Sequence, residues 1–254
     1  MKSTAETVAQ SLEQVAECDA LIGELYAEGK RIVLISDSDG VLTSSDSDAL
    51  GRVDLGHDSL ERRFDLEERL VLQPLRPGPW LPIVERCRAI GAPTYIVTAR
   101  STFVFPRLLW FCLERDVPAK WILGVGHQSK RGSYEIIIRE HMSDADCHFI
   151  MVDDSAKHVQ DFRVLAAELG ITERFANRSH VFRAIPVFDH TEEEYRAFYD
   201  AVMGATSSSG LDAVKVEVPG FGELLVVPDR REGLKRIQQS NLESLLAAAA
   251  ILDR

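Results

Sequence analysis

Short apolar runs alternate with helical periodicities along most of the chain. Val8, Leu12, Val15, Ile22 and Leu25 recur at near-helical spacing, which predicts an amphipathic helix over residues 4–28 that stops at Gly29. Ile32 to Ile35 then form an unbroken apolar run, the pattern of a strand buried on both faces. Trp80 to Ile90 is helical again, with Leu81, Val84, Cys87 and Ile90 on one side, and Gly91 closes it. A second β-rich run spans Thr94 to Arg100, a helix follows over about Phe103 to Arg115, and a third strand runs from Trp121 to Val125. A helix over Gly132 to Glu140 leads to the apolar run Cys147 to Val152, and a further amphipathic helix ends at Gly170. The last core strand is expected at His180 to Pro186. Strands separated by helical patterns predict βαβ units, hence an α/β fold with a Rossmann-like, doubly wound, mainly parallel sheet.

Between residues 44 and 79 the periodicity weakens and charge takes over, with short helices expected around Asp58 to Leu70 and a loop at 75–79. This segment sits where a small insertion could cover the carboxyl ends of the strands. The chain is thus divided into an N-terminal helix (1–29), a core (30–203) carrying the insertion at about 44–79, and a linker with a C-terminal extension (204–254). Within the extension, Ala213 to Val227 is a hairpin candidate around Pro219-Gly220-Phe221-Gly222, and Leu245 to Leu252 reads as a helix. Core packing or self-association into a homo-oligomer is the expectation for this tail.

Composition narrows the function. A formal net charge of -11 over 254 residues argues against a nucleic-acid partner, which calls for a basic surface. The apolar run at 245–252 is too short to span a bilayer, so no membrane partner is expected. Cys18, Cys87, Cys112 and Cys147 show no metal-binding spacing and read as buried free thiols. With no segment built like a signal peptide, the expected location is cytoplasmic.

Chemistry concentrates at the strand ends. The run 31–43 reads RIVLISDSDGVLT, so the first strand delivers Asp37 and Asp39 to its carboxyl end. With a period of two along an extended chain, both can point the same way. On these residues alone, a cation or phosphoryl site and an acidic turn are equally good readings. Thr98 ends the second strand, Lys130 follows the third, and Asp153 with Asp154 ends the fourth. Together they offer what phosphoryl transfer needs on one rim: a nucleophile, an acid/base, a hydroxyl, a cation and carboxylates for Mg²⁺.

These motifs, DSDGVLT (37–43), IVTAR (96–100), Lys130 and IMVDDSAKH (150–158), resemble the haloacid dehalogenase-like (HAD) phosphatase superfamily. The likeness runs from Arg31 to about Phe162. It implies Asp37 as the nucleophile that becomes an aspartyl-phosphate and Asp39 as the proton carrier. Thr98 would bind the transferring phosphoryl oxygens, and Lys130 would neutralise them and steady Asp37. It implies Mg²⁺ held by Asp37, the Asp39 carbonyl and Asp154, with Asp153 a supporting acid or further ligand. Mg²⁺ and Lys130 are expected to depress the Asp37 pKa, and the surroundings of Asp39 to raise its own. The second Asp and His158 in DDSAKH, with VTARS at 97–101, look like the 5′-nucleotidase branch, although His158 itself reads first as a cap or surface residue.

For the substrate, Arg100 beside the second motif and Arg62 and Arg63 in the insertion are the candidate binding residues, with Arg52, His57 and Phe64 beside them. The expected activity is a Mg²⁺-dependent phosphomonoesterase acting on a small phosphorylated substrate such as a nucleoside monophosphate. The alternatives are a catalytically idle HAD-like binding protein and a phosphatase of macromolecular substrates.

Overall fold

The computed structural model describes residues 4–44, 65–100, 105–117, 119–126, 128–172, 177–185, 187, 190–206 and 213–228. Arg52, His57, Arg62, Arg63, Phe64 and the helix expected at 245–252 lie outside these residues. The chain divides into two compact units.

The first unit comprises Met1–Ser44, Arg76–Arg100 and Glu114–Val187. It opens with α1 (Thr4–Ala27), followed by β1 (Arg31–Ser36), β2 (Thr43–Ser44), β3 (Arg76–Pro77) and α2 (Leu81–Ala89). β4 (Thr94–Thr98), β5 (Ala119–Gly124), α4 (Arg131–His141), β6 (Cys147–Asp153), α5 (Ala156–Glu168) and β7 (Ser179–Arg183) complete it, while α3 (Phe105–Glu114) belongs mostly to the second unit. Five strands form one sheet in the order β5-β4-β1-β6-β7, and every pairing is parallel. The α/β doubly wound reading is what the chain adopts.

β1 sits in the middle of the sheet, which explains its unbroken apolar run. Ile32, Val33, Leu34 and Ile35 are all buried because helices cover both faces. Val33 and Ile35 pack with Tyr95, Val97, Phe149 and Met151 against Tyr134, Ile137 and Ile138 of α4 and Val159, Phe162 and Leu165 of α5. α1 and α2 meet β1 on the other face, where Ile32 and Leu34 point. Each such side chain contributes about 1.5–3 kcal/mol on burial. The chain adds β4 and β5 on one side of β1, then crosses to add β6 and β7 on the other. The order of strands therefore reverses between β1 and β6, the place where open parallel sheets leave a crevice at their carboxyl ends. Asp37 follows β1 and Asp153 ends β6 at that crevice.

The second unit comprises Ser45–Leu75, Ser101–Leu113 and Phe188–Arg254. Its core joins Leu66 and Leu70 to Tyr195, Phe198 and Val202 of α6 (Glu192–Gly204) and to Val218, Leu224 and Val226 of the hairpin β8 (Val214–Val218) and β9 (Gly222–Val226). The hairpin lies where the sequence puts it, with Gly220 at φ 84° in the turn. α6 has no counterpart in the sequence reading. Its signal is a capping box: Thr191 Oγ1 accepts from the Glu194 N–H, and the Glu194 carboxylate accepts from the Thr191 N–H at 2.7 Å. All four cysteines are buried free thiols. Among the described residues no helix is long and apolar enough to cross a membrane.

Candidate active site

β1 continues its ladder one residue past its end, where the Asp37 N–H donates to Val152 O at 2.8 Å. That bond fixes Asp37 against β6 and leaves its side chain at the rim. The Asp37 Oδ1 accepts from the Ser38 N–H at 2.7 Å and from Lys130 Nζ at 2.8 Å. The chain then turns back. The Thr43 N–H donates to Ser38 O at 2.8 Å, the Gly40 N–H donates to Thr43 O at 2.9 Å, and Gly40 takes φ 69°, which only glycine adopts without strain. This turn presents Asp39, whose Oδ1 accepts from both Nε and Nη2 of the buried Arg100.

The turn is braced by the segment entering α2. The Gly78 N–H donates to Leu42 O at 2.8 Å and the Trp80 N–H to Val41 O at 3.1 Å. A side chain at Gly78 would strike backbone, with Leu42 C only 2.8 Å from the new Cβ and the Val41 carbonyl nearer still. Gly78→Ala is therefore expected to lower stability by about 1–3 kcal/mol, read as a fall in Tm, because neither backbone can yield without moving the turn that carries Asp39.

Thr98 ends β4 and is completely buried, and its Oγ1 accepts from the Arg100 N–H at 3.1 Å. That leaves the hydroxyl hydrogen as the donor Thr98 can offer. Lys130 stands at the start of α4, also completely buried, and its ammonium bridges Asp37 and Asp153 at 2.8 Å each. Asp153 is heavily engaged. Its Oδ2 accepts from Lys130 and from the Tyr134 hydroxyl at 3.2 Å, and its Oδ1 accepts from the Ser155 N–H at 2.9 Å. His158 Nδ1 stands 3.4 Å from the same Oδ1, within ion-pair reach. The Asp154 carbonyl accepts from Arg183 Nε at 3.5 Å.

The electrostatics follow from burial. Burial alone would lower the Lys130 pKa, yet Asp37 and Asp153 prevail and raise it, so the ammonium stays charged. Burial likewise presses Asp153 upward, but His158 and Lys130 outweigh it and hold the carboxyl below its usual range. Asp37 goes the other way. Burial raises it well above the ordinary 3.8, more than Lys130 lowers it, and the carboxylates of Asp153, Asp39 and Asp154 push in the same direction. The sequence expectation of a depressed Asp37 counts Mg²⁺ together with Lys130; Lys130 by itself does not outweigh the desolvation and the three neighbouring acids. Four carboxylates gather here with two cations, Lys130 and Arg100. One added divalent cation would balance them, and hard carboxylate oxygens suit Mg²⁺. Asp37, Asp153 and His158 offer donor atoms within 4.8 Å of one another.

Of the residues expected from sequence, the structure brings Asp37, Lys130 and Asp153 into one bonded group, with Asp39 and Arg100 as a pair beside it and Thr98 bonded to the Arg100 backbone. Arg62 and Arg63 lie outside the described residues. Tyr134 was not anticipated; its signal is position, one helical turn past Lys130 on the same face.

No family model matches the chain, and no curated protein matches it. Among solved structures it is similar to the class C acid phosphatase from Bacillus anthracis, at 11% identity over 76% of this chain and 89% of that chain, TM-score 0.48. The same enzyme with tungstate bound gives 13% identity over 78% and 85%, TM-score 0.46. The HAD domain of the effector protein Lem4 from Legionella pneumophila gives 14% over 65% and 93%, TM-score 0.36.

Proposed function

We propose that the chain is a Mg²⁺-dependent phosphomonoesterase that works through an aspartyl-phosphate on Asp37, with a nucleoside monophosphate or another small phosphorylated metabolite as substrate. The observation that carries the reading is the setting of Asp37. It is a buried carboxylate at the sheet's switch point, gripped by Lys130 and the Ser38 N–H, with a second acid, Asp39, two residues on. A structural role gives no reason to bury so many acids together.

In this reading a carboxylate oxygen of Asp37 forms a bond to phosphorus as the bond to the leaving oxygen breaks. Asp39 gives that oxygen its proton. Asp39 then takes a proton from the water that attacks phosphorus, the bond to Asp37 breaks, and inorganic phosphate leaves. Lys130 and the Thr98 hydroxyl hold the phosphoryl oxygens, and Arg100 orients Asp39 until it turns to the leaving group. Asp37 and Asp154 would hold the cation, since Asp153 already accepts from Lys130, Tyr134 and the Ser155 N–H. Asp153 then serves to hold Lys130. When bound, the divalent cation supplies positive charge to the phosphoryl group and keeps Asp37 ionised.

The test is phosphate release from a panel of nucleoside monophosphates, sugar phosphates and an aryl phosphate, with Mg²⁺ and with a chelator. Turnover of at least one ester, lost on chelation, is the expected result. Folded protein that releases no phosphate from any of them with Mg²⁺ present would end the proposal.

A further inference from the structure

β7 is an outer strand of the five-stranded sheet, and its main-chain bonds fix which way each residue points. Phe149 N–H donates to Arg178 O, and Ala184 N–H donates to Asp153 O. In a parallel ladder this turns the even-numbered residues of β7 toward β6 and the odd-numbered ones outward. Two of the outward groups are satisfied by side chains. The Ser179 N–H donates to Asn177 Oδ1 at 3.1 Å, and the Arg183 carbonyl accepts from Gln14 Nε2 of α1 at 3.1 Å. The Ser179 carbonyl, both main-chain groups of Val181 and the Arg183 N–H have no partner among the described residues. The edge opens into a groove of about 750 Å³ between α1 and β7.

Gln14 shows what the edge accepts. Its amide gives Arg183 the bond that a neighbouring strand would give, while its own Oε1 is buried without a hydrogen-bond partner. A side-chain amide stands in for one peptide group of a neighbouring strand. The groove walls differ in charge. Glu17 and Glu24 line it from α1, and Arg163 lines it from α5 on the opposite face of the sheet.

We propose that this groove binds an extended segment of another protein as a sixth strand beside β7. The residues of that segment alternate between basic and acidic. Successive side chains of a strand point to opposite faces, so one set meets Glu17 and Glu24 and the other meets Arg163. Main-chain bonds to Val181 and its outward neighbours supply the affinity, and the charge alternation supplies the selection. The site is independent of the phosphatase reading.

The probe is a fluorescein-labelled hexapeptide of alternating Lys and Glu, followed by fluorescence polarisation with the full chain. Two N-methylated versions block alternate sets of peptide N–H groups. One is expected to bind as the parent does and the other at least tenfold more weakly, because only one set faces β7. Glu17→Lys with Glu24→Lys, both on the exposed side of α1, should also weaken binding tenfold without lowering Tm. Val181→Pro removes an outward N–H and no ladder bond, and should abolish binding. The proposal fails if the parent peptide does not bind, if both methylated versions bind alike, or if the two Glu→Lys changes leave binding as it was. It also fails if sedimentation shows the groove closed by a second copy of the chain.

Discussion

Asp37→Asn is expected to remove phosphate release, by about 10⁴-fold or more as for the loss of a covalent nucleophile, and at the same time to make the protein more stable at neutral pH. Both effects come from one carboxylate. Asn keeps the shape and can still accept from the Ser38 N–H, and Lys130 keeps its bond to Asp153. What disappears is a buried charge among other acids. The Asp37 pKa is raised in the folded state, so the folded protein holds a proton there that the unfolded chain has released. Below the ordinary value of 3.8 the wild type has no penalty. As pH rises from there through the raised value, stability is lost, and the Asn variant does not lose it. Melting curves from pH 4 to pH 8 without divalent ions should coincide at the acid end and separate toward neutral, with Asp37→Asn melting higher. Added Mg²⁺ should raise the wild type and narrow the gap. A variant that still releases phosphate at the wild-type rate would remove Asp37 from the chemistry, and coincident curves would remove the buried-charge argument.

That pairing of lost activity with gained stability also shows which parts of the protein the sequence makes legible. β1, β4 and β6 are readable because each is buried over nearly its whole length, so apolar residues dominate its run. β2 and β3 are two residues each and too short to carry any period. α6 begins with three consecutive glutamates, and its capping box at Thr191 and Glu194 is a stronger mark than its apolar pattern. In the site, the acids and Lys130 are legible because each lies at or beyond the carboxyl end of a strand, the side on which a parallel sheet gathers them. The partnerships are not. Arg100, two residues past β4, reads as a substrate contact, yet β1 and β4 are neighbours and their ends bring it onto Asp39. Tyr134 acquires its role from helix register, and the rise in the Asp37 pKa comes from desolvation, which only packing reveals.

Lys130→Met should be among the most damaging single changes to stability in the first unit. Methionine fills nearly the same volume, so packing is preserved and the ammonium alone is lost. Asp37 and Asp153 would then be buried with no shared cation between them. Removing one member of a buried charge group costs about 3–5 kcal/mol, because the remaining charge has lost both water and partner. For a chain of this size that is roughly a 10 °C fall in Tm. The loss should shrink as pH drops, since protonating the two carboxylates removes what Lys130 balances. Activity should vanish with it, because the same ammonium steadies Asp37 and meets the phosphoryl oxygens. Adding Asp37→Asn should restore part of the stability and none of the activity, a non-additive result expected of groups in direct contact. If Lys130→Met melts as the wild type does at pH 7, the ammonium is not what keeps these acids in the core. If the double variant is no more stable than Lys130→Met alone, Asp37 is not the charge that Lys130 balances.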